Sequence, residues 1–394
     1  MCFSNRKITP NAIVFGVNHH NTLGILRSLG EAGIRSDLIL IVTDDSDPYV
    51  ARCRYIDNWV CVSDEQEGMG VLRKWALTAG SGGYRRVVFP TYDSVCEILD
   101  RYYDELVRYL HLPSCQRKGG MLSLYLDKEI MRKTAEDVGF KTPRTYQLDS
   151  SGGIDLPEDL EFPCMIKNMK SVIGGKDLTI YQDRETLLNG IMEMSKCSAQ
   201  IQIQRFVEKD KEIQLLGASF GKGHNLIACV LDKIRQYPLN TGNTCYAYLT
   251  PRIEEYIDVD KVNEFLDVLD YRGLFSIEFI IKDNECYFLE INLRNDGNGY
   301  APMTGGVNVP YLYYKAMSDQ LPFKSRRIRG EYHLYVEGND WANIKDGAVS
   351  FIQAIQEYLG SKSKLYWNIT DMKPFVAYWL YMIKRKVTKF FKKV

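Results

Sequence analysis

The chain has 394 residues, of which 45% are hydrophobic and 25% are charged, a composition typical of globular proteins with sizeable cores. Its 50 basic and 50 acidic residues cancel, but the last 22 residues carry seven Lys or Arg and no acid, so residues 1–372 have a net charge of −7. A mildly acidic body argues against a nucleic-acid partner.

The ten cysteines form no CxxC pair and no Cys/His cluster with metal-ligand spacing, and the opening residues lack a secretory-signal pattern. We therefore expect reduced thiols and a cytoplasmic protein. No apolar run reaches the roughly 20 residues that cross a bilayer.

Residues 1–117 are predicted to form an α/β domain. Apolar residues 12–17 and 37–43 predict two strands around a helix that begins at Thr22, a Rossmann-like start without the GxGxxG fingerprint. A nucleotide site is therefore not expected here. His19 and His20, between the first strand and the helix, are either substrate contacts or solvated loop residues.

A strand at 87–93 precedes a predicted helix at 94–110, with Asp93 at the junction. Ligands of open α/β sheets bind at such carboxyl edges, so Asp93 is a candidate substrate contact; the alternative is a helix cap.

The second predicted domain covers residues 118–325. Lys128 lies in the first turn of a predicted helix at 127–138, where the helix dipole disfavours a cation, so either a nearby anion offsets this cost or the lysine is simply exposed. Further on, a short strand ends at Lys167. The Gly-Gly loop that follows, at 171–176, resembles a phosphate-wrapping turn, although a hairpin tip without ligand has the same composition.

Strict alternation over residues 274–294 predicts a β-hairpin with two carboxylates and an amide on one face. A three-residue loop at 283–285 would place Glu278 opposite Glu290. Like charges directly opposite each other are destabilising, so we expect a hard cation such as Mg²⁺ between them, with Asn292 as a further oxygen ligand. A solvated hairpin face is the alternative.

The C-terminal part is predicted as an extension at 326–372 and a basic tail at 373–394. One helix should run from Asn339 to about Leu359 and pack its apolar face on the body. The tail has an apolar helical stripe with lysines mostly off it, which indicates either contact with an anionic membrane surface, at the inner face of the membrane, or an ordinary docked helix.

Six pieces in order resemble the ATP-grasp superfamily, specifically its carboxylate-amine ligases such as the D-aspartate ligase-like and carbamoyl-phosphate-synthase-like proteins. They are Asp127-Lys128, FPCMIK ending at Lys167, Gly174-Gly175, QRFVEKDKE, Glu278 and EINLR, and the resemblance covers about residues 10–320. It implies an α/β and α+β ATP-grasp fold with a lid subdomain at about 140–206. It also implies ATP and two Mg²⁺ ions as cofactors.

The resemblance also implies a role for each matching residue. Lys128 and Lys167 would contact the α- and β-phosphates, the Ser171–Lys176 loop would cover the terminal phosphates, and Glu212 would bind the ribose. Adenine would be bound by the backbone of the segment Gln204, Arg205, Phe206 and Val207. Mg²⁺ would be held by Glu278, Glu290 and Asn292. Arg294 would face the transferred phosphoryl group, and Arg235 would assist it or bind the substrate carboxylate. The family often has an acid where Gln204 stands.

The function implied is ATP-dependent amide-bond formation through an acyl-phosphate, with a small carboxylate and an amine as substrates. If the tail binds membrane, one substrate is expected to be a cell-envelope precursor. Two alternatives remain open: an enzyme that uses bicarbonate through carboxyphosphate, and an ATP-binding regulatory protein without catalysis.

Overall fold

The structure is a computed structural model that describes residues 12–43, 47–79, 84–152, 154–168, 179–197, 200–239, 241–319 and 325–391. Within these ranges no helix combines the length and apolarity needed to cross a membrane. The mixed α/β and α+β architecture predicted from the sequence is confirmed.

The N-terminal part is a parallel sheet with helices on both faces, in which the central strands are apolar and buried and one edge strand is largely exposed. Its strands are β1 (Ala12–Val17), β2 (Ser36–Ile41), β3 (Ile56–Val62), β4 (Arg86–Pro90) and β5 (Leu110–His111), and its helices are α1 (His20–Glu31), α2 (Glu65–Ala79), α3 (Asp93–Arg101) and α4 (Tyr103–Leu106). The strand order is β3-β2-β1-β4-β5, all parallel, so the chain switches direction between β1 and β4. Ligands of open α/β sheets bind beside such a switch point.

The single helix predicted at 94–110 is wrong. Residue Tyr102 ends α3, α4 is one short turn, and Leu110 begins β5, which pairs with Arg86 at the edge of the sheet. A helix that continued to Leu110 would leave this side of β4 without a hydrogen-bonded partner.

A small antiparallel sheet with its own core follows. Before it come β6 (Ser114–Cys115), α5 (Met121–Tyr125) and α6 (Lys128–Asp137). The sheet consists of β7 (Thr145–Asp149), β8 (Cys164–Asn168), β9 (Ile180–Tyr181) and β10 (Gln200–Arg205), and the helix α7 (Arg184–Ser195) packs against it. The order is β7-β10-β8-β9. The helix predicted at 127–138 is confirmed as α6, because the Asp127 carboxylate caps it by accepting from the N–H groups of Glu129 and Ile130.

The centre of the molecule is a large sheet, β15-β14-β11-β12-β13-β16-β17, with β6 added beside β14. Its elements are β11 (Lys211–Phe220), β12 (Asn225–Tyr237), β13 (Asn243–Thr250), α8 (Val259–Leu269), β14 (Tyr271–Lys282), β15 (Glu285–Asn292), α9 (Ala301–Thr304), α10 (Val309–Asp319), β16 (Tyr332–Tyr335) and β17 (Ser363–Lys364). One face packs against α6 and α8, and the other shares a core with the N-terminal sheet. The predicted domain limits stay predictions.

The C-terminal segment contains α11 (Trp341–Lys345), α12 (Phe351–Gly360) and α13 (Met372–Phe391). The single helix predicted from Asn339 to Leu359 is wrong. The chain turns at Gly347, whose φ of 75° favours glycine, and α12 restarts at Ser350, whose hydroxyl caps it by accepting from the Gln353 N–H. The predicted packing of its apolar face is also wrong, because Phe351, Ile352 and Leu359 are exposed.

Candidate functional site

The two carboxylates of the predicted hairpin lie directly opposite each other. Glu278 of β14 pairs with Glu290 of β15, as predicted, and Ser276 pairs with Asn292. The predicted three-residue loop is wrong, because the turn is the two-residue Asp283-Asn284 with positive φ at both positions. A β-bulge at Leu289 adds one residue to β15 and thereby restores the predicted pairing.

Asn292 and Arg294 continue the polar side of the hairpin. The Arg294 guanidinium donates to the Asn292 side-chain oxygen at 3.1 Å and to the Asp93 carboxylate at 2.5 and 3.1 Å. Asp93 is the first residue of α3, and its carboxylate accepts from Arg294. A bidentate ion pair between Arg294 and Asp93 therefore joins the end of the hairpin to the carboxyl edge of the N-terminal sheet.

A lysine to which the sequence assigned no role joins the carboxylates. The Lys233 ammonium donates to Glu212 at 2.5 Å and to Glu278 at 2.9 Å, and its side chain is only 6% exposed. The opposed carboxylates were expected to need a positive charge between them, and Lys233 supplies part of that charge.

Burial and neighbouring charges shift the pKa values of this cluster. Burial would lower the pKa of Lys233, but the charges of Glu278 and Glu212 raise it well above its usual range, so the ammonium stays protonated. Burial raises the pKa of Glu278 to about 7, with Glu290 adding to the shift and Lys233 opposing it. Although burial alone would raise the pKa of Glu212, Lys233 and Lys209 hold it below its usual value.

Buried amides complete the network around Glu212. Gln236 donates to the Glu212 carboxylate at 3.0 Å and accepts from Lys209 at 2.6 Å. Gln214 donates to Glu278 at 3.1 Å and accepts from Asn298 at 3.0 Å. Each carboxylate is therefore oriented by side chains of the neighbouring strands.

These partners were missed in the sequence, because the burial of polar positions on β12 is visible only in the structure. Lys233 and Gln236 are buried, whereas the intervening Ile234 is 52% exposed. A strand that buries its polar side chains and exposes its isoleucine has a polar interior to serve.

Arg235 does not extend this cluster in the structure. Its guanidinium forms ion pairs at 2.5 Å with Asp340 and with Glu357, both in the C-terminal segment. It thus fastens that segment to β12 beside the Lys233 network, a contact that the sequence did not predict.

The segment predicted to bind adenine spans the last two residues of β10 and the two residues after it. The side chain of Gln204 is buried and donates to the Thr145 hydroxyl at 3.2 Å, and the Phe206 N–H donates to the Pro163 carbonyl at 2.8 Å. Arg205 is exposed and pairs with Glu161 at 3.0 Å, while Val207 is half-buried. The backbone therefore connects the small sheet with β11, which carries Glu212.

The predicted phosphate contacts are placed only in part. Lys128 is the first residue of α6 and is half-buried, and α6 contacts the hairpin where the Ile291 N–H donates to the Met131 sulfur. Lys167 lies on β8 opposite Gln202. The side chain of Lys167 and the loop residues Ser171, Gly174, Gly175 and Lys176 lie outside the described residues.

The switch point of the N-terminal sheet lies against the loop that follows the hairpin. The Asn21 amide donates to the carbonyls of Thr91 and Asn295 at 3.0 and 2.8 Å. The neighbouring His19 precedes α1, and its imidazole Nδ1 accepts from the Asn21 N–H at 3.3 Å. His19, Asn21, Asp93 and Arg294 therefore converge beside one edge of the candidate site.

Residues 133–307 match the family model of the ATP-grasp domain. The C-terminal section of the carbamoyl phosphate synthase large subunit of Aquifex aeolicus is 23% identical over 175 residues, which cover 43% of this chain and 32% of that protein. The large subunit of the same enzyme of Saccharolobus solfataricus is 22% identical over 52% of this chain and 20% of its own length. The chain thus spans a third or less of the curated relatives it matches.

Solved structures share the fold over most of the chain. N5-carboxyaminoimidazole ribonucleotide synthetase from Thermus thermophilus aligns with a TM-score of 0.61 at 16% identity, covering 82% of each chain. L-amino acid ligase from Bacillus licheniformis aligns with a TM-score of 0.58 at 15% identity, covering 78% of this chain and 74% of that one. The resemblance derived from the six sequence pieces is confirmed, and residues 133–307 form an ATP-grasp domain.

Proposed function

We propose that this protein is an ATP-dependent, ADP-forming carboxylate-amine ligase. The observation that supports the proposal most is the pairing of Glu278 with Glu290 across the hairpin. Asn292 and Arg294 come two and four residues after Glu290, and the Arg294 guanidinium donates to the Asn292 oxygen. An ATP-binding protein without catalysis has no need to keep two half-buried carboxylates directly opposite each other, since the pair is costly.

The residues of the hairpin fit Mg²⁺. Within the described ranges no group of three His, Cys, Asp or Glu side chains is placed to hold a metal ion. Two carboxylates and the Asn292 oxygen are an incomplete set of hard ligands, which suits an ion that takes its remaining ligands from water and substrate phosphates. Bound there, Mg²⁺ would neutralise charge on the ATP phosphates.

The nucleotide would lie between the small sheet and the large sheet. In this proposal the backbone at Gln204, Arg205, Phe206 and Val207 binds adenine, and Glu212 binds the ribose hydroxyls. Lys128 and Lys167 would bind the α- and β-phosphates, and the 171–176 loop would cover the terminal phosphates. Lys233, held protonated between Glu212 and Glu278, supplies a further positive charge beside the phosphates.

The chemistry has two steps. A carboxylate oxygen attacks the γ-phosphorus of ATP and ADP leaves, which gives an acyl-phosphate; Arg294 would balance the charge on the transferred phosphoryl group. An amine nitrogen then attacks the acyl carbon, the C–O bond to phosphate breaks, and the amine loses a proton. We propose a positioning role for Arg235 rather than substrate contact, because Asp340 and Glu357 pair with its guanidinium.

We place the carboxylate and amine substrates at the switch point of the N-terminal sheet. His19, the Asn21 amide and the Asp93–Arg294 pair offer donors and acceptors on one side of the proposed phosphoryl-transfer position. These groups suit the polar ends of the carboxylate and amine substrates.

An assay of ADP and phosphate release with pooled amino acids and carboxylates, with and without Mg²⁺, tests the proposal. We expect Mg²⁺-dependent release that requires one acid and one amine together. Release that requires bicarbonate instead would favour the carboxyphosphate alternative. Tight ATP binding without turnover in any pool would favour the regulatory protein.

A second observation favours peripheral contact of α13 with an anionic membrane. Val376, Leu380, Ile383 and Val387 fall on one helical stripe and are 48–62% exposed, while Ala377 on the other side is buried in the core. Lys373 lies three residues before Val376, and Lys384 lies four residues after Leu380, so both lysines are close to the stripe on the helix surface. An apolar stripe flanked by bases fits the headgroup region of an anionic bilayer, so a lipid-linked or cell-envelope precursor is the proposed substrate class.

Sedimentation with liposomes that contain phosphatidylglycerol tests this contact on the full chain. We expect Leu380→Glu combined with Ile383→Glu to abolish sedimentation. Leu77→Glu, at an exposed leucine of α2, is the matched control and should have no effect. Equal sedimentation of all three proteins, or none by the unsubstituted chain, would exclude the membrane proposal.

A further inference from the structure

A cavity of about 730 Å³ lies between the N-terminal sheet and the large sheet, away from the candidate site. It is lined by Arg272, the second residue of β14, and six residues along this strand separate it from Glu278. At about 3.3 Å per residue their Cα atoms are about 20 Å apart. On the N-terminal sheet the cavity contacts Arg85 at the amino end of β4, whereas Asp93 follows the carboxyl end.

The polar lining is predominantly basic. Arg85, Arg117, Arg272, His111 and His224 face a single lining carboxylate, that of Asp104. Arg272 has a distant partner in Asp270 at 3.7 Å, and within the part of the chain that the structure describes neither Arg85 nor Arg117 forms an ion pair. The cavity therefore carries uncompensated positive charge.

Burial and the positive charge lower the pKa values of basic side chains in the lining. Burial and the Arg85 charge lower the pKa of His111 to about 4. Burial and the Arg117 charge lower the pKa of Arg272. These groups repel one another, and an anion placed among them would relieve that repulsion.

Two buried donors in the lining lack partners. The Ser114 side chain, which is 1% exposed, and the Nε of Arg272 form no hydrogen bond within the described residues, and the two residues lie opposite each other where β6 pairs with β14. An unpaired buried polar group is destabilising, so two of them side by side are uncommon in folded proteins. Anionic oxygens between the two strands would satisfy both.

The rest of the lining is apolar and includes Tyr103, Phe220 and Met317. We propose that this cavity binds a small organic phosphate, with its phosphate oxygens on Ser114, Arg117 and Arg272 and its apolar part against Tyr103 and Phe220. A phosphate suits guanidinium groups better than a carboxylate because it offers three oxygens and up to two charges. The volume fits a ligand of metabolite size. The site is independent of the proposed ligase activity.

Calorimetric titration of the full chain with phenyl phosphate tests the proposal, with saturating Mg²⁺ and ADP present to occupy the nucleotide site. We expect one site for phenyl phosphate and weaker binding of inorganic phosphate, which lacks the apolar part. Arg117→Gln should weaken phenyl phosphate binding about tenfold through loss of a charge-assisted hydrogen bond. Arg108→Gln, an equal charge change at an exposed arginine outside the lining, is the control.

Ser114→Ala separates a ligand site from a packing defect. We expect it to weaken phenyl phosphate binding while leaving the thermal midpoint of the free protein unchanged or higher, because it removes an unpaired buried hydroxyl. Absence of binding, equal affinity for phenyl phosphate and inorganic phosphate, unchanged affinity in Arg117→Gln, or binding that disappears when ADP is present would each overturn the proposal.

Discussion

Lys233 allows the buried acids of the candidate site to coexist. One ammonium is shared by Glu212 and Glu278, and Glu290 stands directly across the hairpin from the second of these. A buried pair contributes little net stability relative to apolar packing, but removing one partner leaves a charge that nothing compensates.

Replacing this lysine should therefore be costly. We expect Lys233→Met to lower the free energy of unfolding by about 3–5 kcal/mol at pH 7.5, measured by urea denaturation in EDTA. Lys196→Met breaks the exposed Lys196–Glu193 pair and should cost about 0–1 kcal/mol. Equal losses in the two variants would show that Lys233 is not the compensating charge.

The raised pKa of Glu278 predicts a pH dependence. Its value in the folded protein, about 7, exceeds the ordinary 4.5, so the folded state holds this proton more tightly than the unfolded state. The contribution of Glu278 to stability is therefore largest below pH 4.5 and falls as the pH rises toward 7.

A glutamine at this position cannot ionise and should remove that fall. Between pH 5 and pH 7.5, in EDTA, the unfolding free energy of Glu278→Gln should improve relative to that of the unsubstituted protein. Parallel pH profiles for the two proteins would contradict the assignment.

At the scale of single elements, the hairpin shows what the alternation of residues can and cannot predict. Alternation identified both arms and the carboxylate faces, because one side of each strand is buried. The turn length was mistaken, since Asp283 and Asn284 both tolerate positive φ and close a two-residue turn. The bulge at Leu289 restores the predicted pairing of Glu278 with Glu290, and no residue pattern in the sequence predicts this bulge.

The bulge leads to a prediction about register. Deleting Leu289 should keep Glu278 opposite Glu290, because the remaining residues pair continuously from the turn, so Mg²⁺-dependent ADP formation should persist. Inserting one glycine between Leu289 and Glu290 should move Glu290 out of line and abolish it. The same activity in both variants would show that this alignment does not matter.

Other parts of the site depended on contacts that no local pattern encodes. The partners of Arg235 lie more than 100 positions further along the chain, at Asp340 and Glu357. The apolar positions of α12 satisfied helical spacing and still remained exposed, because spacing predicts a face but not what covers it.

At the scale of the molecule, a buried ion pair fastens the C-terminal segment to the N-terminal sheet. The Arg27 guanidinium on α1 donates to the Asp371 carboxylate at 3.0 Å and to the Leu365 carbonyl at 3.0 Å, and both charged side chains are fully buried. The pair joins residues 344 positions apart.

We expect Asp371→Ala to lower the unfolding free energy by about 3–5 kcal/mol, because it leaves the Arg27 charge buried without its carboxylate. Glu193→Ala, which breaks an exposed pair, should change it by about 0–1 kcal/mol. Urea denaturation of both variants measures the difference. A small loss in Asp371→Ala would show that the Arg27–Asp371 pair does not hold the C-terminal segment in place.

If the opposed carboxylates of the hairpin hold Mg²⁺ for ATP-dependent ligation, as proposed, neutralising one of them should stop the reaction. The test compares ADP formation by the full chain and by Glu290→Gln, with Mg²⁺ and the acid and amine pools present. We expect a loss of at least about 100-fold in Glu290→Gln with an unchanged thermal midpoint. ADP formation by Glu290→Gln at the rate of the unsubstituted protein would contradict it.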